Sequence, residues 1–182
     1  MRAHTHEKQH FFLWIFLFVL AVMCTPCAVL AQTEGRSNAV VDLTKAVLLD
    51  PTTYAPAALS YTSQRMDWKS SQVLFSAGWL EHNSHYTVSG RADDTPISFE
   101  AGNRQIRQAA IAHLQESLVN NLATQIFERS LTQKYPEHRK LLKTLGWVER
   151  ISFSSYVGYL ASVEHFHQSQ KNLAMARQYG IQ

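Results

Sequence analysis

The residue pattern best suited to chemistry is Glu164-His-Phe-His167. On a helix, Glu164 and His167 are three residues apart and share a face, whereas His165 points nearly opposite. Di-iron and di-manganese bundles use this Glu-x-x-His spacing, because a carboxylate and an imidazole one turn apart reach the same ion. Such centres need the motif on two helices, with two further carboxylates. This sequence contains it once.

A second pair of suitable ligand types is His113-x-x-Glu116, in reversed order on the preceding predicted helix. If the two helices pair from the break at Tyr135-Pro136, the two motifs are offset by about seven residues, or ~10 Å. That offset is too large for a shared ion without a marked stagger. The metal hypothesis therefore uses Glu164, His167, His113 and Glu116. In the alternative interpretation, His167 ends a buried stripe with Glu164 solvated beside it.

Other candidate chemistry is weaker. Glu81, His82 and His85 form E-H-x-x-H, which is not the H-E-x-x-H of zinc hydrolases. The sequence has no G-x-S-x-G element, phosphate-binding loop or nucleotide fingerprint. We therefore expect no catalytic residue and no cofactor, although a Ser-His-Asp set brought together by the fold stays open.

The N-terminus has the organisation of an export signal. A polar segment with two basic residues, 1–10, precedes the uncharged run from Phe11 to Cys24. Small residues near Ala31 predict cleavage before Gln32, with 1–31 as the signal peptide and 32–38 as a flexible leader. The alternative is an uncleaved inner-membrane anchor, since 11–31 is close to the ~20 residues that cross a bilayer.

Composition restricts the function further. The formal net charge is only +3, and the one basic cluster, 138–143, is short, so we expect no nucleic-acid partner. Both cysteines, Cys24 and Cys27, belong to the predicted signal. The mature chain would then have no disulfide, thiolate metal site or cysteine nucleophile.

Residues 39–178 are predicted to form one helical domain. A short helix ends at Asp50-Pro51, and 57–80 forms either one bent helix or two, with Asp67 as a candidate cap for the second. Residues 81–103 are rich in Asn, Ser, Gly, Asp and Pro, which predicts a long, poorly ordered polar loop where a ligand would meet the bundle. Two long helices follow, ending near Lys134 and Arg177.

Both long helices carry apolar stripes, which predict an all-α bundle of about four helices. The stripe of the first is Ile106, Ala110, Leu114, Leu118, Leu122 and Ile126, and that of the second is Leu141, Leu142, Leu145, Val148, Tyr156, Leu160, Val163 and Phe166. The last helix also carries Ser154, Gly158 and Ser162 away from the stripe, so we expect it to be central, with close contacts on two sides. A membrane-embedded 145–163 is the alternative.

The segments PTTYAPAALSYTSQRMDWKSSQVLF and SGRADDTPISFEAGNRQIR resemble small exported bacterial proteins of uncharacterised function. The resemblance implies export and carries no functional residue. We therefore expect a non-enzymatic helical protein of the bacterial cell envelope, periplasmic or secreted, whose partner is another envelope protein or a second copy. Trp68 and Trp79 are candidate interface residues, with core packing as the alternative. Membrane contact would use 11–31.

Overall fold

The computed structural model of the protein describes residues 36–181, so the predicted signal peptide and most of the predicted leader lie outside the described residues. The predicted all-α bundle is confirmed. Its four α-helices are α1 (Arg36–Leu48), α2 (Ala55–Ser76), α3 (Phe99–Lys134) and α4 (Arg139–Gln178). Short 3-10 turns lie at Pro51–Thr53, Ser84–Tyr86 and Pro136–His138.

The structure decides between the two alternatives for 57–80 and corrects one predicted helix boundary. The segment forms one helix, α2, which runs through Asp67, so Asp67 caps no second helix. The polar loop ends at Ser98 rather than at 103, because the Ser98 side chain accepts the backbone N–H of Ala101 and so caps α3. The predicted break between the long helices is confirmed at Tyr135, where Pro136 begins the connecting turn.

The helix directions follow from the side-chain contacts. Thr124 of α3 is hydrogen-bonded to Glu149 of α4, whereas Glu128, one turn further along α3, lies against Gly146, which comes earlier on α4, so these two helices are antiparallel. The contacts between α2 and α4 advance together along both chains, from Ser63 with the Ala161 carbonyl to residues 71 and 172, so that pair is parallel. The helix α4 is therefore packed against two partners, as the sequence predicts.

Small side chains bring α2 and α4 together. Ser154, Gly158 and Ser162 are buried on α4, and a Cβ added at Gly158 would overlap the side chain of Leu59. Serines of α2 face them, with Ser63 fully buried. The predicted role of the small-residue face is confirmed, since only small side chains allow backbones to approach so closely.

The predicted burial of the α4 stripe is wrong. Most of its members are exposed, and the others are only half-buried. The buried side of α4 is the opposite one, which contains Arg150, Ser154 and Val157. Hydrophobic periodicity identifies an apolar face of α4, but the face of α4 that packs against the serines of α2 is the one with small residues. The stripe of α3 is likewise half-buried apart from Ile106.

The interior is correspondingly polar. Among the described residues, fifteen polar or charged residues are buried but only six apolar ones. One buried group is Arg150, whose Nε donates to Asp50 at 2.9 Å and whose Nη1 donates to Glu128 at 3.1 Å. This ion triad ties the segment after α1 to both long helices. Within residues 36–181, no helix is both long and apolar enough to span a bilayer.

Candidate functional site

Two surface features distinguish the molecule, and the first is the exposed stripe of α4. We call it the apolar face. Its central members Val148, Tyr156 and Tyr159 are exposed, and Val163 is half-buried. The full face adds the exposed Tyr159 to the stripe and leaves out Leu142 and Leu160, which lie at its edge; its members are Leu141, Leu145, Val148, Tyr156, Tyr159, Val163 and Phe166. It extends over about 38 Å at 1.5 Å per residue. Contiguous apolar surface of this kind marks interaction sites on proteins.

The spacing along the apolar face is symmetric. Apart from Tyr156, the large residues lie at matching distances on the two sides of a midpoint between residues 153 and 154, and two small serines flank that midpoint. The matching positions are Leu141 with Phe166, Leu145 with Val163 to within one residue, Val148 with Tyr159, and Ser152 with Ser155. A face with this pattern is complementary to itself when a second copy lies antiparallel on it.

The second feature is a cleft of about 490 Å³ between α2, the loop after it and the last third of α4. Its lining combines carboxylates, imidazoles, amides and aromatic rings, and it includes no Lys or Arg. The carboxylates are Asp67, Glu81 and Glu164, and the aromatic residues are Trp68, Phe75, Trp79 and Tyr86.

A polar network forms the helical wall of this cleft. Nδ1 of His165 lies 2.8 Å from Oδ2 of Asp67. Nδ2 of Asn172 lies 3.2 Å from the other carboxylate oxygen, and 3.1 Å and 2.8 Å from the hydroxyls of Ser70 and Ser71. Asn172 is 2% exposed, so its contacts are made away from water. The network fixes the Asp67 carboxylate at the edge of the cleft.

The loop 77–98 forms the opposite wall and has a defined path. Glu81 and Asp94 exchange backbone hydrogen bonds of 2.9 and 3.2 Å, and the N–H of Ile97 donates to the carbonyl of Tyr86. The hydroxyl of the buried Thr87 is within hydrogen-bond distance of two backbone carbonyls of the same loop. These bonds hold Glu81 and Tyr86 against α2. Backbone hydrogen bonds thus pair the two halves of the loop. That a ligand would meet the bundle at this loop stays a prediction.

Aromatic packing joins the loop to α2. The ring of Tyr86 lies 5.1 Å from that of Trp68, centroid to centroid, and its hydroxyl donates to Oε1 of Gln64 at 3.2 Å. Burial, followed by the charges of Asp67 and Glu81, raises the pKa of Tyr86 to about 12. Burial also raises the pKa of Glu81, with the N–H of Asn83 opposing the change. The surroundings of Glu81 and Tyr86 therefore disfavour a negative charge on either side chain.

The predicted metal ligands are not brought together. His113 and Glu116 contact each other at 3.4 Å on α3, while Glu164 lies at the cleft. Within the described part of the chain, no three His, Cys, Asp or Glu side chains converge as a metal ion would require. The alternative interpretation, in which His167 ends a buried stripe with Glu164 solvated beside it, is wrong for His167, because both side chains are exposed. His165 contacts α2 instead, because the buried side of α4 is opposite its apolar stripe.

Asp67 and His165 were missed as partners because they belong to different helices and no local motif links them. Of the two tryptophans predicted as interface candidates, Trp68 is 4% exposed and belongs to the core, and Trp79 lines the cleft. One sequence pattern could have predicted the polar wall of the cleft: small and amide residues, Ser162, Ser169 and Asn172, share one face of α4. No residue roles can be transferred to these positions, because comparison with protein-family models, curated proteins and solved structures found no match.

Proposed function

We propose that this chain is an exported, non-enzymatic helical protein of the bacterial cell envelope that acts as an interaction module by pairing with a second copy of itself. The observation that carries the proposal is the apolar face of α4, which is exposed and symmetrically spaced. Pairing would remove Val148 and Tyr159 from water in both copies at once, and burial of apolar area is the main driving force of association.

The second copy is favoured over other occupants by the symmetry of the face. In an antiparallel pair, Val148 meets Tyr159, and the small Ser152 meets Ser155 where the helices cross. Such an isologous contact closes on itself and gives a dimer rather than a filament. Export is supported by the N-terminal pattern of residues 1–31, and mass spectrometry of the protein from the envelope should show a chain beginning at Gln32.

Light scattering on the exported protein tests the pairing. We expect twice the chain mass for the wild type and the single mass for Val148→Asp, because the charge would be buried in the interface. The matched control is Val119→Asp on α3, since Val119 is 47% exposed and Val148 is 46% exposed. Loss of the dimer in both variants, or a monomeric wild type that instead binds lipid vesicles, would contradict the proposal.

The direction of pairing has its own measurement. A spin label can be attached at position 140, near one end of the apolar face, through the substitution Lys140→Cys. Cys24→Ser and Cys27→Ser ensure that no other cysteine is labelled. The antiparallel pair places the two labels about 40 Å apart along the helix axis. A parallel pair would bring them to about the helix spacing of 8–10 Å, before the length of the label is added.

A further inference from the structure

The lining of the cleft combines carboxylates with aromatic rings. Three carboxylates line it, and Lys and Arg are missing from its lining. Asp67 is held in place by His165 and Asn172, so its charge stays at the edge of the cleft. Burial is the main cause of the raised pKa of Tyr86, and the charges of Asp67 and Glu81 add to it. An anionic ligand would be repelled there.

The remaining wall is aromatic. Trp68 packs against Phe75 and Tyr86, with centroid distances of 5.7 and 5.1 Å, and Trp79 lines the cleft beside them. The faces of indole and phenol rings attract cations through their quadrupoles, and the attraction is strongest where water is excluded. Carboxylates together with aromatic faces therefore select a ligand that is both positively charged and apolar.

We propose that the cleft between α2, the loop 77–98 and α4 binds an organic ammonium ion, with Glu81 and Asp67 providing the opposite charge and Trp79 providing the aromatic surface. A bare metal ion does not fit, because no three ligating side chains converge within residues 36–181. The volume of about 490 Å³ is enough to admit a quaternary ammonium group. This site is separate from the apolar face of α4.

Calorimetric titration of the exported protein with choline tests the proposal, with 3,3-dimethylbutanol as the uncharged probe of the same shape. We expect heat of binding for choline and none for the alcohol. Glu81→Gln keeps an oxygen that accepts the Asn83 N–H but removes the charge, and it should weaken choline binding about tenfold or more. Trp79→Leu should weaken binding by a similar factor, since it removes the ring.

The matched control is Glu100→Gln, which removes an exposed carboxylate of α3 outside the cleft and should leave the affinity unchanged. Circular dichroism of each variant verifies that the helices are intact. Equal binding of choline and the alcohol, no binding of choline by the wild type, or equal losses in Glu81→Gln and Glu100→Gln would each overturn the proposal.

Discussion

His165 and Asp67 are 98 residues apart in the sequence, and their side chains meet at 2.8 Å between α4 and α2. The contact belongs to a network of buried and half-buried serine, amide and carboxylate side chains between the two helices. Because such groups lose hydrogen bonds to water on burial, each one left unpaired costs free energy. We therefore expect the polar residues of this interface to control stability more than the leucines of α4.

Asn172→Ala tests this expectation first. The substitution removes the donor that serves Asp67, Ser70 and Ser71, and it leaves those buried groups with fewer partners. We expect the free energy of unfolding to fall by roughly 1–3 kcal/mol, measured by urea denaturation. Gln170→Ala, at an exposed position of the same helix, is the control and should change it by less than about 0.5 kcal/mol. Equal effects would show that the network contributes nothing specific.

Arg150→Met tests the ion triad. Arg150 is 6% exposed and contacts Asp50 and Glu128, so its removal leaves two carboxylates close together without a cation. We expect a loss of roughly 3–5 kcal/mol in unfolding free energy, since a buried charge without its partner is costly. Adding Asp50→Asn and Glu128→Gln should recover part of that loss.

The control for the triad is Arg104→Met, at an exposed position of α3, which should be nearly neutral. A loss in Arg150→Met that the two neutralising changes do not reduce would contradict the electrostatic explanation and assign the effect to packing of the arginine side chain.

Gly102→Ala tests the packing of α3 on α2. Gly102 is buried beneath Trp68, and a Cβ there would overlap the indole. The indole is fixed by the bond from its Nε1 to the Phe99 carbonyl, so it cannot move without losing that bond. We expect a loss of roughly 1–3 kcal/mol and a changed tryptophan emission spectrum. Gly90→Ala in the loop would strain a positive φ of 73° but meet no neighbour, so emission should stay unchanged.

The fold class was predictable because the helices are long and their breakers are local. Pro136 and the polar residues before Ser98 mark the connections. The helical spacing of apolar residues in α3 and α4 continues over far more residues than a strand contains. The small residues at Ser154 and Gly158 also predicted the close contact of α4 correctly.

The side of each helix that becomes buried was not predictable from its own periodicity. The apolar face of α4 includes Val148 and Tyr159, yet burial went to the side of Ser154 and Asn172. That choice depends on the matching serines of α2, such as Ser63, which lie on a different segment of the chain. For the same reason the contact of His165 with Asp67 required the tertiary structure.

Glu81 provides a pH-dependent prediction. Burial raises its pKa, the N–H of Asn83 and His82 oppose the rise, and the charge of Asp67 adds to it. Between the ordinary value of 4.5 and the raised value, the folded state binds more protons than the unfolded state at this position. Its contribution to stability is therefore fully present below the ordinary value and is lost as the pH rises through the raised pKa.

Unfolding free energies of the wild type and Glu81→Gln, compared between about pH 4 and pH 8, measure this contribution. We expect the variant to gain stability relative to the wild type as the pH rises. Saturating choline should reduce the gain, because a bound cation favours the ionised carboxylate. A relative stability of Glu81→Gln that falls with rising pH would mean that the pKa of Glu81 is lowered in the folded protein, because the hydrogen bonds to its carboxylate outweigh its burial.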